Sequence, residues 1–332
     1  MSKVKLKFSQ GHLFSTPTTA AVASLVVSLI ALSFSPILIR FSEGELGPNA
    51  TIFNRFWIST VAFVLWNGFI AARQRLFYSQ AEESQPYTIR QILLLLWVGF
   101  VMFATLVLWA WSLTQTNVAN STLMHNLAPL FTVSVGWLIW RKSFDRRFLI
   151  GMLIAMAGAC LLAYYDFSSA NGKLQGDITA ILSAAFLGLY PLIVEQLRTQ
   201  LSPKVIMTWC SAIGTLLLLP IVILTEDRLF PCSLDGWLSV ISLALICQIL
   251  GLGLYAYSLK SLSSGFVFLC DLFVPVLSTQ EAWVLFSEKI NVLTLISFAV
   301  IMLGVYVTSS SQSAIKTEVE SVNLEALKIG NL

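Results

Sequence analysis

The sequence predicts an all-α polytopic membrane protein with ten transmembrane helices, arranged as two inverted halves of five helices each. Three observations support that prediction: the composition, the length of the apolar runs and an internal repeat. Of the 332 residues, 57% are hydrophobic and 11% are charged, and the mean hydropathy is +0.80. Soluble globular proteins carry about 25% charged residues, so the composition excludes a soluble fold.

Ten continuous apolar runs are long enough to cross a bilayer, because about 20 helical residues span roughly 30 Å of hydrocarbon. In chain order they lie near residues 19–40, 50–72, 91–113, 118–141, 147–165, 177–194, 204–224, 236–259, 264–286 and 291–309. The runs do not alternate between apolar and polar residues, and backbone groups in lipid must be satisfied within their own segment. Helices are therefore predicted rather than the strands of a barrel.

The chain ends and the basic residues predict the orientation. The first run follows a basic segment, residues 1–18, without a small-residue cleavage site, so we expect a retained first helix. With the N-terminus in the cytoplasm, 15 of the 20 Lys and Arg residues lie on the cytoplasmic side, in agreement with the positive-inside rule. Both termini, including the tail 310–332, are expected in the cytoplasm and the protein in the plasma (inner) membrane. The net charge of +3 indicates this topology and no nucleic-acid partner.

An internal repeat is the most informative pattern in the chain. Residues 108–137, "LWAWSLTQTNVANSTLMHNLAPLFTVSVGW", align without gaps with residues 254–283, "LYAYSLKSLSSGFVFLCDLFVPVLSTQEAW", at an offset of 146. Pro129 thereby matches Pro275. Further upstream the offset becomes 155, as for Pro36 and Pro191, because the loop between them is longer in the first half.

The repeat divides the chain into a first half, 19–165, and a second half, 177–309. Each half contains five predicted spans. Because five is odd, the second half must enter the membrane from the opposite side, so the two repeats are inverted. Inverted repeats are typical of alternating-access transporters with a binding site near the midplane.

The sequence resembles the drug/metabolite transporter superfamily, and within it the EamA-type ten-helix transporters. The resemblance lies in "AYSLKSLSSGFVFLCDLFVPVLSTQEAWVLFSEKI", which contains Pro275 and Glu288, and in the weaker first copy around Pro129. The first copy departs from the family pattern at "WRKSFD", where an acidic residue is usual. The resemblance implies two inverted EamA repeats and the export or exchange of small metabolites, often amino acids.

Polar and aromatic residues inside the spans are the candidates for substrate binding or coupling, and two prolines are candidate helix kinks. His125 and Asp271 are repeat equivalents and lie about seven residues, roughly 10 Å, from opposite surfaces. We expect them to flank the midplane without touching. The full candidate set is His125, Asn126, Asp271, Glu281, Arg55, Trp111 and Tyr257, with the kinks at Pro129 and Pro275.

Each candidate also has a structural interpretation. A single histidine in an apolar helix is usually packed, and Arg55 is more often a snorkelling or structural ion-pair residue. Glu281 either takes part in transport or pairs with Arg55 or His125. Trp111 and Tyr257 line a pathway or belong to an aromatic belt. A carboxylate such as Asp271 is costly in a span unless it is paired, solvated or protonated, which favours substrate or proton coupling.

No phosphate loop, catalytic triad or metal-ligand spacing is present, so we expect no catalytic residue, metal or cofactor. The prediction is a secondary transporter, an exporter or exchanger of small organic metabolites such as amino acids, working by alternating access in the lipid bilayer. A channel-like conduit for ions or solutes, and a membrane protein without transport activity, are the alternatives. Few charges lie within the spans, which disfavours a channel, since channels use rings of like charge or of carbonyls.

Overall fold

The computed structural model describes residues 16–77, 87–116, 118–164, 174–286 and 292–314, and within these ranges all regular elements are helical. The helices are α1 Thr16–Ser33, α2 Ser35–Ser42, α3 Pro48–Phe77, α4 Ile89–Gln115, α5 Val118–His125, α6 Ala128–Trp140, α7 Arg146–Tyr164, α8 Leu174–Leu197, α9 Pro203–Thr225, α10 Leu234–Ser242, α11 Leu252–Ser258, α12 Ser264–Cys270, α13 Val274–Phe286 and α14 Val292–Ser309. A π-helical segment, Leu243–Gly251, joins α10 to α11, and a 3₁₀ turn, Asp271–Phe273, joins α12 to α13.

In the described part of the chain, seven helical stretches are long and apolar enough to cross a membrane: Thr18–Ser42, Ile89–Gln115, Leu174–Leu197, Pro203–Thr225, Leu234–Ser258, Ser264–Leu285 and Val292–Ser309. The protein is thus an all-helical, multi-pass membrane protein. The count of ten spans stays a prediction.

Three helical stretches are interrupted just ahead of a proline. Pro36, Pro129 and Pro275 are each the second residue of the helix that resumes, in α2, α6 and α13. Proline has no N–H to bond the carbonyl four residues earlier, and its ring clashes with that carbonyl, so the preceding helix stops. Helix α8, however, continues through Pro191, the repeat counterpart of Pro36. A proline alone therefore does not decide whether a helix is interrupted.

Helices α7 and α14 pack backbone against backbone. A Cβ atom on Gly304 would lie 2.3 Å from the Ala155 nitrogen, and one on Gly158 would lie 2.8 Å from the Ile301 nitrogen. As the residue number rises in α7 it falls in α14, so the two helices are antiparallel. The offset of 146 converts Ala155 to Ile301 and Gly158 to Gly304, so each of these two contacts is the repeat equivalent of the other.

A buried hydrogen bond between helices also occurs twice. The Ser28 hydroxyl in α1 donates to the Gly251 carbonyl at 2.8 Å, and the Ser183 hydroxyl in α8 donates to the Thr105 carbonyl in α4 at 2.8 Å. Ser28 and Ser183 are separated by 155 residues, and Thr105 and Gly251 by 146. The packing of α1 on the π-helical segment is therefore the counterpart of the packing of α8 on α4.

The side of the bundle where α2 and α9 end is called the Glu45 face. The Glu45 carboxylate accepts hydrogen bonds from the backbone N–H groups of Cys232 at 2.9 Å and Ser233 at 3.1 Å. The Glu226 carboxylate accepts one from the Asn49 N–H at 3.0 Å. Hydrogen bonds from Ser233, and then from Cys232, hold the pKa of the partly exposed Glu45 carboxyl below its ordinary value. The α2–α3 and α9–α10 connections are therefore joined to each other.

The opposite side, where α6 and α8 end and α12 begins, is called the Glu195 face. Lys142 and Glu195 form an ion pair whose side chains are 14% and 8% exposed. The Ser264 N–H donates to the same carboxylate at 3.2 Å, and Lys142 donates to the Ser264 hydroxyl at 3.2 Å. Nearby, the Arg198 guanidinium donates to the Ala256 carbonyl at 2.8 Å. Ends of both halves are thus held together at this face.

We expect Gly304→Ala to lower the thermal stability of the protein, because its methyl group meets the backbone of α7. Overpacking of this kind costs about 1–3 kcal/mol. Unfolding of the purified protein in detergent, followed by tryptophan fluorescence, measures the change. Gly253→Ala is the matched control, since a Cβ there meets nothing within 4 Å and alanine favours a helix by about 1 kcal/mol. Equal shifts of the two midpoints would contradict close packing at Gly304.

Candidate functional site

His125 and Asp271 stand at the two equivalent helix interruptions. His125 is the last residue of α5, and Asp271 opens the 3₁₀ turn that follows α12. Each lies four residues before its proline, Pro129 or Pro275, so the carbonyl of each loses its helical partner to the missing proline N–H. The sequence pattern therefore places a titratable side chain beside an interrupted backbone in both halves.

His125 is packed among neighbours in the first half. Its ring stacks on Trp109, with ring centroids 5.2 Å apart and planes at 28°. Its Nδ1 lies 3.1 Å from the Ser183 hydroxyl oxygen, and that hydroxyl also donates to the Thr105 carbonyl. His125 therefore has an aromatic partner and a hydroxyl partner within the first half, and its role in transport stays a prediction.

Asp271 has different surroundings. Its Oδ1 atom and the Tyr255 hydroxyl are both buried, and neither has a hydrogen-bond partner among the described residues. Within the described ranges, the hydrogen-bond partner of the Tyr190 hydroxyl is the Met207 sulfur, at 3.9 Å. The two tyrosine rings lie 6.3 Å apart, and both tyrosines lie near Asp271. A buried polar group without a partner costs about 1–3 kcal/mol. A proton, a water molecule or a ligand bound at this cluster would offset that cost.

The sequence interpretation missed Tyr190 and Tyr255. The repeat contained a signal for Tyr255, which stands 146 residues after Trp109. The contact of Trp109 with His125 thus has a counterpart in the proximity of Tyr255 to Asp271. Tyr190 had no comparable signal, because it belongs to α8 and only the tertiary packing brings it to the cluster.

Arg55 lies in α3 and is held by neutral groups. Its Nε donates to the Gln248 side-chain oxygen at 2.8 Å, and its Nη1 lies 3.4 Å from the Ser35 hydroxyl. The Gln248 amide donates in turn to Ser211 at 3.3 Å. No carboxylate forms an ion pair with Arg55 in the described ranges. Gln248 belongs to the π-helical segment, a distortion often found at functional sites.

Glu281 lies in α13 and borders a cavity of about 310 Å³ whose other lining residues are Phe34, Leu277, Gln280, Val284 and Leu285. Its Oε1 accepts a hydrogen bond from the Ser33 hydroxyl at 2.6 Å. Its Oε2 is buried, and no partner for it is found in the described residues. Within those residues Glu281 forms an ion pair with neither Arg55 nor His125.

The other candidates lie apart from these groups. Trp111 is 52% exposed and Tyr257 is 42% exposed, and the Tyr257 ring lies 6.0 Å from the Arg198 guanidinium at the Glu195 face. Asn126 lies in the turn between α5 and α6, where its N–H donates to the Thr122 carbonyl at 2.9 Å. Their role in lining a pathway stays a prediction. In the described part of the chain no group of His, Cys, Asp and Glu side chains is arranged to hold a metal ion.

We expect Tyr255→Phe to leave the thermal stability unchanged or to raise it, on the order of 1 kcal/mol, because the substitution removes a buried hydroxyl that has no partner. Ser183→Ala is the matched comparison, since it deletes a hydroxyl that bonds both Thr105 and His125. Thermal unfolding in detergent distinguishes the two. A loss of stability in Tyr255→Phe as large as that in Ser183→Ala would mean that the Tyr255 hydroxyl has a partner.

A family model matches most of the chain, and two relatives are named as a transporter and an efflux pump. The model of the EamA-like transporter family matches residues 19–164 and 174–310. An uncharacterized transporter of Archaeoglobus fulgidus is 20% identical over 294 residues, which cover 87% of this chain and 96% of that protein. A Salmonella typhimurium protein named "Probable amino-acid metabolite efflux pump" is 25% identical over 197 residues, covering 56% of this chain and 66% of that protein.

A solved crystal structure matches the fold with a TM-score of 0.70 and 19% sequence identity, covering 88% of this chain and 97% of the solved one. The family resemblance read from the sequence is thereby confirmed, and the names of the relatives indicate a transporter rather than an enzyme. With one family model matching both repeats across most of the chain, this multi-pass membrane protein belongs to the EamA-like transporter family.

Proposed function

We propose that the protein is a secondary carrier of small organic metabolites, with amino acids and similar amphiphilic compounds favoured, that works by alternating access between two inverted five-helix halves. The main support is a pair of contacts between the antiparallel helices α7 and α14. The internal repeat converts each of these contacts into the other and thereby exchanges the two helices. Only a twofold axis perpendicular to two antiparallel helices can exchange them, and for membrane-spanning helices such an axis lies in the membrane plane. That is the symmetry of inverted repeats.

A second contact supports the same axis. The hydroxyls of Thr60 in α3 and Thr215 in α9 lie 3.5 Å apart, and these residues are repeat equivalents at an offset of 155. Equivalent atoms can approach each other this closely only beside the axis that relates them. The axis therefore passes between α3 and α9 as well as between α7 and α14.

The ion pair at the Glu195 face supports alternating access. Lys142 follows α6 in the first half, whereas Glu195 and Ser264 belong to the second half. Their contacts close the bundle at this face, and a carrier must open and close each face in turn. The excess of Lys and Arg on this side supports a cytoplasmic location for the Glu195 face. The proposal includes ten spans, both termini in the cytoplasm and a location in the plasma (inner) membrane.

The name of one relative supports the substrate class and the direction of transport, and the buried polar groups support a coupling site. One relative is named as a probable amino-acid metabolite efflux pump, which favours export of amino acids and related metabolites here. Asp271 is the coupling candidate, because its buried Oδ1, for which the described residues offer no hydrogen-bond partner, can accept a proton. Alternating access would expose this carboxylate to each water phase in turn.

Exchange in proteoliposomes tests the function. We expect vesicles loaded with a panel of amino acids and small metabolites to exchange some of them for external labelled compound, saturably and without ATP. A pH gradient should drive accumulation in the wild type. In Asp271→Asn, exchange should persist while accumulation driven by the gradient is lost. Unsaturable flux would indicate a conduit, absence of exchange for the whole panel would refute the carrier, and unchanged accumulation in Asp271→Asn would remove its coupling role.

We expect Lys142→Glu and Glu195→Lys each to slow exchange by at least about tenfold, because each places two like charges together at the Glu195 face; breaking a buried ion pair costs about 3–5 kcal/mol. The double variant restores the pair with reversed charges and should recover most of the rate. Cys270, now 5% exposed, serves as a native reporter, and it should react faster with a water-soluble maleimide in each single variant.

Lys260→Glu is the control for this pair, since Lys260 is an exposed residue in the α11–α12 connection of the same face. Its rate of exchange and its Cys270 labelling should match those of the wild type. Failure of the double variant to recover, with labelling of Cys270 unchanged in the single variants, would show that the pair does not close the pathway.

A further inference from the structure

Two charged side chains of opposite sign lie near each other in the bundle without forming an ion pair. Arg55 and Glu281 contact serines that stand two positions apart in the chain, yet no ion pair links the two charges within the described residues. Each is instead held by neutral neighbours on one segment: Arg55 by Ser35 and Glu281 by Ser33. These serines stand on either side of the interruption between α1 and α2.

Both charges have unused hydrogen-bonding capacity. The Arg55 guanidinium has five N–H donors, and its described hydrogen bonds use Nε and Nη1, both to neutral groups. The Glu281 Oε2 is buried, and the described residues offer it no partner. A charge in the interior of a bundle is costly unless a counter-charge or strong hydrogen bonds compensate it.

The repeat indicates that the fold does not require these charges. The equivalent of Arg55 at an offset of 155 is Cys210, and the equivalent of Glu281 at an offset of 146 is Val135. Cys210 is buried, so an uncharged side chain fills the corresponding position of the other half. Arg55 and Glu281 are therefore charges that one half has and the other half lacks at equivalent positions. Because a charge in the interior lowers the stability of the protein, we expect these two residues to have a role in function.

A cavity of about 310 Å³ is bordered by Glu281 and by Phe34, which separates Ser33 from Ser35, the residue to which Arg55 donates. The volume lies within the range of about 300–1,000 Å³ that is usual for small-molecule sites. The remaining wall is mostly apolar, with Leu277, Val284 and Leu285.

We propose that Arg55 and Glu281 bind the two ends of one zwitterionic substrate, the guanidinium holding its carboxylate and the glutamate holding its ammonium group. The apolar wall then receives an apolar side chain. The assignment rests on the proposed carrier function and adds its recognition chemistry. A ligand with both charges compensates both residues at once, and a ligand lacking one charge leaves one of them unpaired.

Binding of three matched probes to the purified protein tests the assignment: L-phenylalanine, phenethylamine, which lacks the carboxylate, and 3-phenylpropionate, which lacks the ammonium group. We expect the wild type to bind L-phenylalanine at least about tenfold more tightly than either analogue. Arg55→Gln should weaken the binding of L-phenylalanine and 3-phenylpropionate and leave phenethylamine unchanged. Glu281→Gln should weaken the binding of L-phenylalanine and phenethylamine and leave 3-phenylpropionate unchanged.

The controls separate recognition from folding. Arg55→Lys and Glu281→Asp keep the charges and should retain the preference for L-phenylalanine, and Arg40→Gln removes an exposed charge of α2 and should bind all three probes as the wild type does. Equal weakening of all three probes in both glutamine variants, or no wild-type preference for L-phenylalanine, would overturn the assignment. Exchange of the metabolite panel by the same preparation would then still support the carrier, whereas absence of exchange would refute the carrier itself.

Discussion

A backbone that crosses hydrocarbon must satisfy its own hydrogen bonds, and in this protein two prolines decide where the α-helical pattern of those bonds breaks. Pro129 and Pro275 each remove one α-helical hydrogen bond, to the carbonyls of His125 and Asp271, and the Asp271 carbonyl accepts the Val274 N–H of the 3₁₀ turn instead. Both helices stop and resume at these points. The polar side chains lie where the helix is already interrupted, so the backbone and the side chain share one environment between helices instead of facing lipid.

The two halves use this shared interruption differently. In the first half, His125 stacks on Trp109 and contacts Ser183, so its polar atoms take part in packing. In the second half, Asp271 and Tyr255 keep buried atoms without described partners. The same helix interruption therefore stands beside a side chain with packing partners in the first half and beside buried atoms without described partners in the second half. The two halves share a backbone arrangement, but the side chains at equivalent positions differ, so the chemical groups are different in each half.

The charges within and beside the bundle follow a similar division. Lys142 and Glu195 are paired with each other and with Ser264, which suits a contact that holds two halves together. Arg55 and Glu281 are held apart on Ser35 and Ser33, beside a cavity. In the proposed carrier, the paired charges stabilise a closed conformation, whereas the separated charges keep their strongest interactions for a ligand. Each arrangement combines one basic residue with one glutamate, and the two differ in whether those residues form an ion pair.

The sequence by itself determined the membrane class and the helical content, because these depend on composition and on the length of the apolar runs. It also determined the family, because the internal repeat can be recognised by aligning the two halves of the chain. It also placed His125 and Asp271 at equivalent positions, because a constant offset needs no structure. The proline interruptions were likewise readable, since the loss of an N–H is a local property of the chain. Pro191, which α8 accommodates, shows that even this local rule yields to its surroundings.

Only the tertiary structure decided which polar groups meet. The sequence left Glu281 to pair with Arg55 or His125, and the structure gave it Ser33 instead, on a helix 248 residues away in the chain. The ring of Tyr190 lies beside that of Tyr255 for the same reason. Helix packing fixes distances between side chains on different segments, and a difference of a few ångströms decides whether two charges pair, bind neutral neighbours or stay open to a ligand. That decision depends on the angles and separations of helices, which no pattern within a single helix encodes.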